Sequence, residues 1–135
     1  MLPTAMGATI ANGNKPAVLV DGDASTIMYL SDFATVVRCR MPLLGVVLND
    51  EALGSEYQKL RAHDMDPETS AIPSPDLGAI ARAYGARGCL ARTLEDVRKA
   101  VQEWVSNPGP MIIESRISRA VINVPHRRVL YGKDE

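Results

Sequence analysis

Four short apolar runs, residues 17–20, 43–48, 88–91 and 111–114, constrain this chain more than any other feature. Each is near-continuous rather than alternating, the pattern of strands buried on both faces of a parallel sheet. Between them, apolar residues recur at helical spacing: Leu30, Phe33, Ala34 and Val37, then Leu77, Ile80, Ala81 and Tyr84, then Leu94, Val97, Val101 and Trp104. The order β-α-β-α-β-α-β gives an α/β fold, a doubly wound parallel sheet with helices on both faces. At 135 residues the chain suits one domain with a single core. Only 4% of residues are aromatic, so that core rests on aliphatic side chains and methionine, with Trp104 inside it.

Element boundaries carry their own chemistry. Ser74 is placed to cap a helix whose first residue is Pro75, and Gly85 follows that helix's last apolar position. Thr93 with Asp96 resembles a capping box, and Asn107-Pro108-Gly109-Pro110 stops the helix that follows it. Two stretches, residues 64–74 and the tail from Val124 onward, read as loops. The first follows a strand and a short helix on the ligand side of the sheet, where a loop either connects or acts as a lid.

Lys and Arg total 15 against 16 Asp and Glu, with the charges scattered, which argues against nucleic acid or an anionic membrane surface as a partner. Cys39 and Cys89 fit neither a Cys-x-x-Cys pair nor a zinc cluster, so both are expected to be reduced core thiols of a cytoplasmic protein. No apolar run approaches the roughly 18 residues of a membrane helix, and the first residues lack signal-peptide character.

The chemistry concentrates at the ends of the first two strands. Gly22-Asp23-Ala24-Ser25 closes one, and Asn49-Asp50 closes the next. Ligands of open α/β sheets bind at the carboxyl ends of strands, and two carboxylates there offer the hard oxygen donors that Mg²⁺ prefers when it bridges to phosphate. Backbone amides of Ala24 and Ser25, with the Ser25 hydroxyl, sit where phosphate oxygens are held near a helix N-terminus. Taken singly, either motif is an ordinary turn signal.

Together, Gly22-Asp23-Ala24, 24 further residues (25–48) and then Asn49-Asp50 resemble the Gly-Asp-Gly…Asn-Asn signature of thiamine diphosphate-dependent enzymes. Residues 2–124 are similar to the C-terminal, diphosphate-binding domain of the acetolactate synthase and 2-oxoacid decarboxylase group. The flanks agree: residues 2–8 look like the small-residue helix before the first strand, and residues 75–85 like a later helix of that domain. The resemblance implies a thiamine diphosphate-binding fold in residues 1–124, lacking its N-terminal part, with 125–135 as a C-terminal tail. It implies Asp23 and Asp50 as side-chain ligands of Mg²⁺, the Ala52 carbonyl as its backbone ligand, and Gly22, Ala24, Ser25, Gly54 and Ser55 as further contacts to the cofactor. A homo-oligomer, and a site shared with a pyrimidine-binding domain or subunit, are implied as well.

Three departures matter. Ala24 stands for the family's third glycine, which is tolerable unless the backbone there needs a positive φ. Asp50 stands for asparagine and adds a negative charge beside a diphosphate. The chain begins inside the family's first conserved helix, without the loop that holds the aminopyrimidine. The glutamate that activates the cofactor is not matched by Glu51, Glu56 or Glu68 and belongs, by resemblance, to another domain. The expectation is therefore a cofactor-anchoring domain of a 2-oxoacid decarboxylase or carboligase, acting on a small 2-oxo acid and incomplete as a catalyst alone. A small subunit of a two-subunit 2-oxoacid decarboxylase, or a degenerate, non-catalytic interaction domain of the same fold, remain alternatives. His63 reads as a surface histidine or as an acid or base near the site, Lys59 and Arg61 as solvated charges or anion contacts, and residues 126–128 as an arm packing on a neighbouring domain.

Overall fold

The computed structural model describes residues 1–132; the last three positions of the predicted tail lie outside the described residues. Four parallel strands, β1 (Ala17–Gly22), β2 (Leu43–Asn49), β3 (Arg87–Ala91) and β4 (Met111–Arg116), form one sheet in the order β1-β2-β4-β3. All four coincide with the apolar runs, each extended by one or two residues into polar positions. The register sets Gly22 beside Leu48, and Leu48 beside Ser115, so three strands run off the same edge together.

One face of the sheet carries Leu43, Val47 and Ile112 against Leu2 of α1 (Leu2–Ala11), Phe33 and Val36 of α3 (Phe33–Arg38), and Leu77 and Ala81 of α5 (Leu77–Ala83). The opposite face packs Leu44, Ala91, Met111 and Ile113 against Ala100 and Trp104 of α6 (Leu94–Ser106). Helices therefore cover both faces, as the pattern predicts. The Trp104 indole N–H donates to the Gly109 carbonyl at 2.7 Å, which satisfies the polar end of a buried ring. No helix among the described residues is long and apolar enough to cross a membrane.

Where α5 meets β3, backbone touches backbone. A Cβ on Gly78 would lie 2.9 Å from the Cys89 carbonyl carbon, and one on Gly88 would strike the Gly78 carbonyl. This close approach needs glycine on both sides, and it lowers the N-terminus of α5 onto the sheet.

Several expectations need correction. β1 is an edge strand with Val18 58% and Val20 60% exposed, so only one of its faces is buried. The predicted helix through Leu30 and Val37 is a 3₁₀ turn, Leu30–Asp32, running into α3, and it is preceded by a helix missed in the sequence, α2 (Asp23–Met28). The cap of α5 is Asp76, whose carboxylate accepts from the Ala79 N–H at 2.6 Å; Ser74 instead bonds to the Pro75 carbonyl. The Thr93–Asp96 capping box forms in full, and Gly85 takes φ +88° after α5 as expected. Cys39 is exposed rather than buried, and Cys89 is half-buried.

The tail is not a loop. Asn123 caps α7 (Val124–Tyr131), with Pro125 in its first turn, and α7 packs on α4 (Gly54–Ala62) of the same chain. Residues 64–74 contain a 3₁₀ turn, Pro67–Ser70, and pair with the loop after β2 through an isolated antiparallel bridge between Ala52 and Ala71. That pairing ties the segment down.

Candidate functional site

The strand ends of β1 and β2 open onto a hollow of ≈ 370 Å³. Gly22, Asp23, Ala24, Ser25, Asp50, Ala52, Gly54 and Ser55 all line it, whereas Asn49 of the second motif is buried and bonded to Glu114. Parallel pairing in register brings the two motifs together, because both strands end at the same edge of the sheet.

Asp23 is the first residue of α2 and is only 2% exposed. Its Oδ2 has no hydrogen-bond partner. Burial pushes the Asp23 carboxyl above its ordinary value; the Ala24 backbone N–H works against that, and the negative charge of Asp50 adds to it. A buried carboxylate oxygen left without a donor is costly, and a cation is what would relieve it. The donor set is all oxygen, which suits a hard divalent ion. Among the described residues no group of three or more His, Cys, Asp or Glu side chains is gathered for a metal. A cation held by Asp23 and Asp50 would therefore draw the rest of its shell from carbonyl and ligand oxygens.

Asp50 is held from its own loop, where its Oδ1 accepts from the Ala52 N–H at 3.2 Å. Gly54 is needed beside it, since a Cβ there would collide with the Asp50 carboxylate. Between Asp50 and Ala52, Glu51 adopts φ +58°, a left-handed conformation that a residue with a Cβ takes at a cost of about 1–2 kcal/mol. Ala24 is not among the positive-φ residues, so the alanine in place of glycine is accommodated without strain.

Both helices that begin at the hollow, α2 with N-cap Gly22 and α4 with N-cap Leu53, have no side-chain cap. α1 and α3 also lack a side-chain cap, whereas α5, α6 and α7 are capped by Asp76, Thr93 and Asn123. First-turn N–H groups of α2 and α4 thus remain as donors, with the positive end of each helix toward the hollow. The two serine hydroxyls differ from the sequence expectation. Ser25 Oγ donates to Asp21 Oδ2 at 2.9 Å. Ser55 Oγ bonds to His126 Nε2 at 3.0 Å, and His126 Nδ1 lies 3.2 Å from Asn123 Oδ1, an acceptor. In the tautomer with Nδ1–H donating to Asn123 Oδ1, Nε2 accepts a hydrogen bond from the Ser55 hydroxyl. Both hydroxyls are thus engaged within the chain, and the donors left at the hollow are backbone N–H groups.

Residues missed in the sequence complete the site. Met28, Leu48, Leu53 and Ile117 form an exposed apolar rim around the hollow. Leu48 ends an apolar run, which is a readable signal, whereas Met28 belongs to the undetected α2. A polar cluster supports the loop after β2. Glu114 is fully buried and accepts from Asn49 Nδ2 at 2.8 Å, the Leu77 N–H at 2.7 Å and Arg116 Nη2 at 2.9 Å. Arg116 also reaches the Glu51 carboxylate at 2.5 Å, and Arg119 donates to the carbonyls of Asp50 and Glu51. Partial burial works against the Arg116 charge, but Glu51 and Glu114 more than offset it.

Other candidates stand apart. His63 is exposed at the end of α4, and Lys59 pairs with Glu56 across the surface of that helix at 3.1 Å. Lys59 holds the Glu56 carboxyl below its ordinary value. His126 is turned inward to Ser55 rather than outward to another domain.

Against known proteins, the family described as "Thiamine pyrophosphate enzyme, C-terminal TPP binding domain" matches residues 1–115. The acetolactate synthase isozyme 2 large subunit of Escherichia coli is 30% identical over 118 residues, covering 86% of this chain and 22% of that protein. The chloroplastic acetolactate synthase 2 of Brassica napus is 32% identical over 122 residues, covering 84% of this chain and 19% of that protein. Among solved structures, benzoylformate decarboxylase from Polynucleobacter necessarius superposes with a TM-score of 0.74 at 26% identity, covering 85% of this chain and 22% of that one. The chain spans about one fifth of the length of these relatives.

Proposed function

Because the chain belongs to the C-terminal TPP-binding domain family of thiamine pyrophosphate enzymes, we propose that it anchors the diphosphate of thiamine diphosphate, through Mg²⁺, in an acetolactate synthase-like carboligase or 2-oxoacid decarboxylase. The observation that carries this reading is the unpartnered, buried Oδ2 of Asp23, in a hollow onto which two uncapped helices open. In this assignment Asp23 and Asp50 hold the cation with the Ala52 carbonyl. Backbone N–H groups at the starts of α2 and α4 hold phosphate oxygens, and Gly54 keeps the Asp50 carboxylate in place. The rim of Met28, Leu48, Leu53 and Ile117 excludes water from the less polar part of the ligand.

When bound, thiamine diphosphate supplies the nucleophilic carbon and the electron sink for chemistry beside a carbonyl group. The chain's own contribution is binding and orientation. Its glutamates near the hollow are engaged elsewhere: Glu51 with Arg116 at 2.5 Å, Glu56 with Lys59 at 3.1 Å, and Glu68 with Tyr57 at 3.2 Å. This supports a divided site, in which the proton-transfer carboxylate comes from a pyrimidine-binding domain or subunit, in an oligomer acting on a small 2-oxo acid.

Calorimetric titration of the complete protein with thiamine diphosphate at several Mg²⁺ concentrations tests the reading. The expected result is saturable, metal-dependent binding that Asp23→Ala abolishes. Binding that ignores the metal or survives Asp23→Ala removes the assignment, and no binding at all leaves a non-catalytic domain of the same fold.

A further inference from the structure

Arg119 lies in the segment after β4, three residues beyond Arg116 and outside both strand-end motifs. Its Nε donates to the Asp50 carbonyl at 3.0 Å and its Nη2 to the Glu51 carbonyl at 3.1 Å, so one planar guanidinium spans two successive carbonyls. The Tyr57 ring, 5.4 Å from the guanidinium carbon, and Glu68, 3.7 Å from Nη1, hold the side chain in place.

These contacts converge on the strained residue. Glu51 at φ +58° turns the chain between Asp50 and Ala52, and that conformation persists only if its surroundings enforce it. Asn49 Oδ1 accepts the Glu51 N–H at 3.0 Å, Arg116 holds the Glu51 carboxylate, and the Ile72 N–H donates to the Glu51 carbonyl at 2.8 Å. Arg119 adds the only side-chain donors in this set that reach main-chain carbonyls. Its bonds use the carbonyls of Asp50 and Glu51, and the bridge to residues 70–72 uses the Glu51 carbonyl and the Leu53 N–H. The Ala52 carbonyl takes part in none of these bonds, and Ala52 lines the hollow.

The geometry points to Arg119 as a positioning residue for the cation site, a guanidinium clamp that fixes the left-handed turn between Asp50 and Ala52. This inference rests on the assignment of Asp50 and Ala52 as cation ligands under the proposed function. Lysine cannot replace arginine here, since an ammonium is a point donor and does not bridge two carbonyls in one plane.

Two measurements on the complete protein, for wild type, Arg119→Lys and Arg119→Met, separate the clamp from the reading beneath it. The first is amide hydrogen exchange at residues 51–53 without ligands, with the amides of β2 and β4 as internal reference. The second is the Mg²⁺ concentration that half-saturates thiamine diphosphate binding. Both variants should exchange faster at 51–53 with the strands unchanged, and should need about 10–100-fold more Mg²⁺, the range for losing a contact that orients a metal ligand. Unchanged exchange overturns the clamp, and faster exchange with unchanged Mg²⁺ demand overturns its role in positioning ligands. If Arg119→Met does not fold, Arg119→Lys alone decides by the same two readings. A wild type that binds nothing, with variants that still exchange faster at 51–53, removes the cation reading and the inference with it while leaving the turn's dependence on Arg119 intact.

Discussion

Gly54→Ala separates ligand placement from stability. A Cβ at residue 54 would overlap Asp50 Oδ2 and lie 3.4 Å from its Cγ. The obstacle is the end of a side chain rather than backbone, so the fold can yield by rotating Asp50 away. That rotation gives up the bond from the Ala52 N–H to Asp50 Oδ1, a loss of about 0.5–1.5 kcal/mol. Against it, alanine is favoured over glycine in a helix by up to about 1 kcal/mol, and residue 54 opens α4. The terms nearly cancel, so the unfolding temperature should stay close to wild type. Cation affinity should not, because the displaced group is a proposed ligand; a loss of about 10–100-fold is expected. Thermal unfolding without ligand, and thiamine diphosphate titrations across a Mg²⁺ series, measure the two quantities. In an Asp50→Ala background the Gly54 substitution should cost no further affinity, since the two share one mechanism. Full Mg²⁺ affinity in Gly54→Ala, or an equal further loss in the double variant, would refute the assignment of Asp50.

Asp50→Asn should retain or tighten binding of thiamine diphosphate with Mg²⁺, because it keeps an oxygen donor and removes a negative charge beside the diphosphate; a large loss on calorimetry counts against the site. Asp23→Asn should make the ligand-free protein more heat-stable at neutral pH. Burial raises the Asp23 carboxyl, so its stabilising contribution is present below the ordinary aspartate value and is lost as pH rises through the raised one. The advantage of Asp23→Asn should therefore shrink as pH falls through the raised value and be gone below the ordinary one, roughly pH 4. Thermal unfolding across pH that shows the opposite trend would mean the Asp23 carboxylate has a partner.

What the sequence disclosed follows from the range of the interactions involved. Strands buried in a parallel sheet leave a local signal, and all four runs became strands. The Thr93–Asp96 box is equally local and forms as read. The α2 helix escaped because six residues are too few to show a period. In α7 the signals were present, Asn123 as cap and Pro125 in the first turn, but a short mixed-charge segment carries no apolar stripe to confirm them. The exposure of Val18 and Val20 depends on β1 standing at an edge, and strand order is a property of the whole chain.

The same reasoning explains the site. Asp23, Asp50 and their neighbours were readable because each half is a strand end, and parallel pairing in register brings two ends together. The supports were not. Arg119 bonds to a carbonyl 69 residues away, and Glu114 to an amide side chain 65 residues away, with nothing in the local sequence to mark either. Those supports also bear on the charge that Asp50 adds. Arg116, beneath the loop, is paired with Glu51 and Glu114, and Arg119 sits on the carbonyls of Asp50 and Glu51. Arg116 is close enough to feel the Asp23 charge, but the glutamates paired with both arginines offset much of their positive charge, so the strand-end carboxylates still call for a cation of their own. Asp23 Oδ2 keeps no partner within the described residues, and a cation in the hollow is what would meet it.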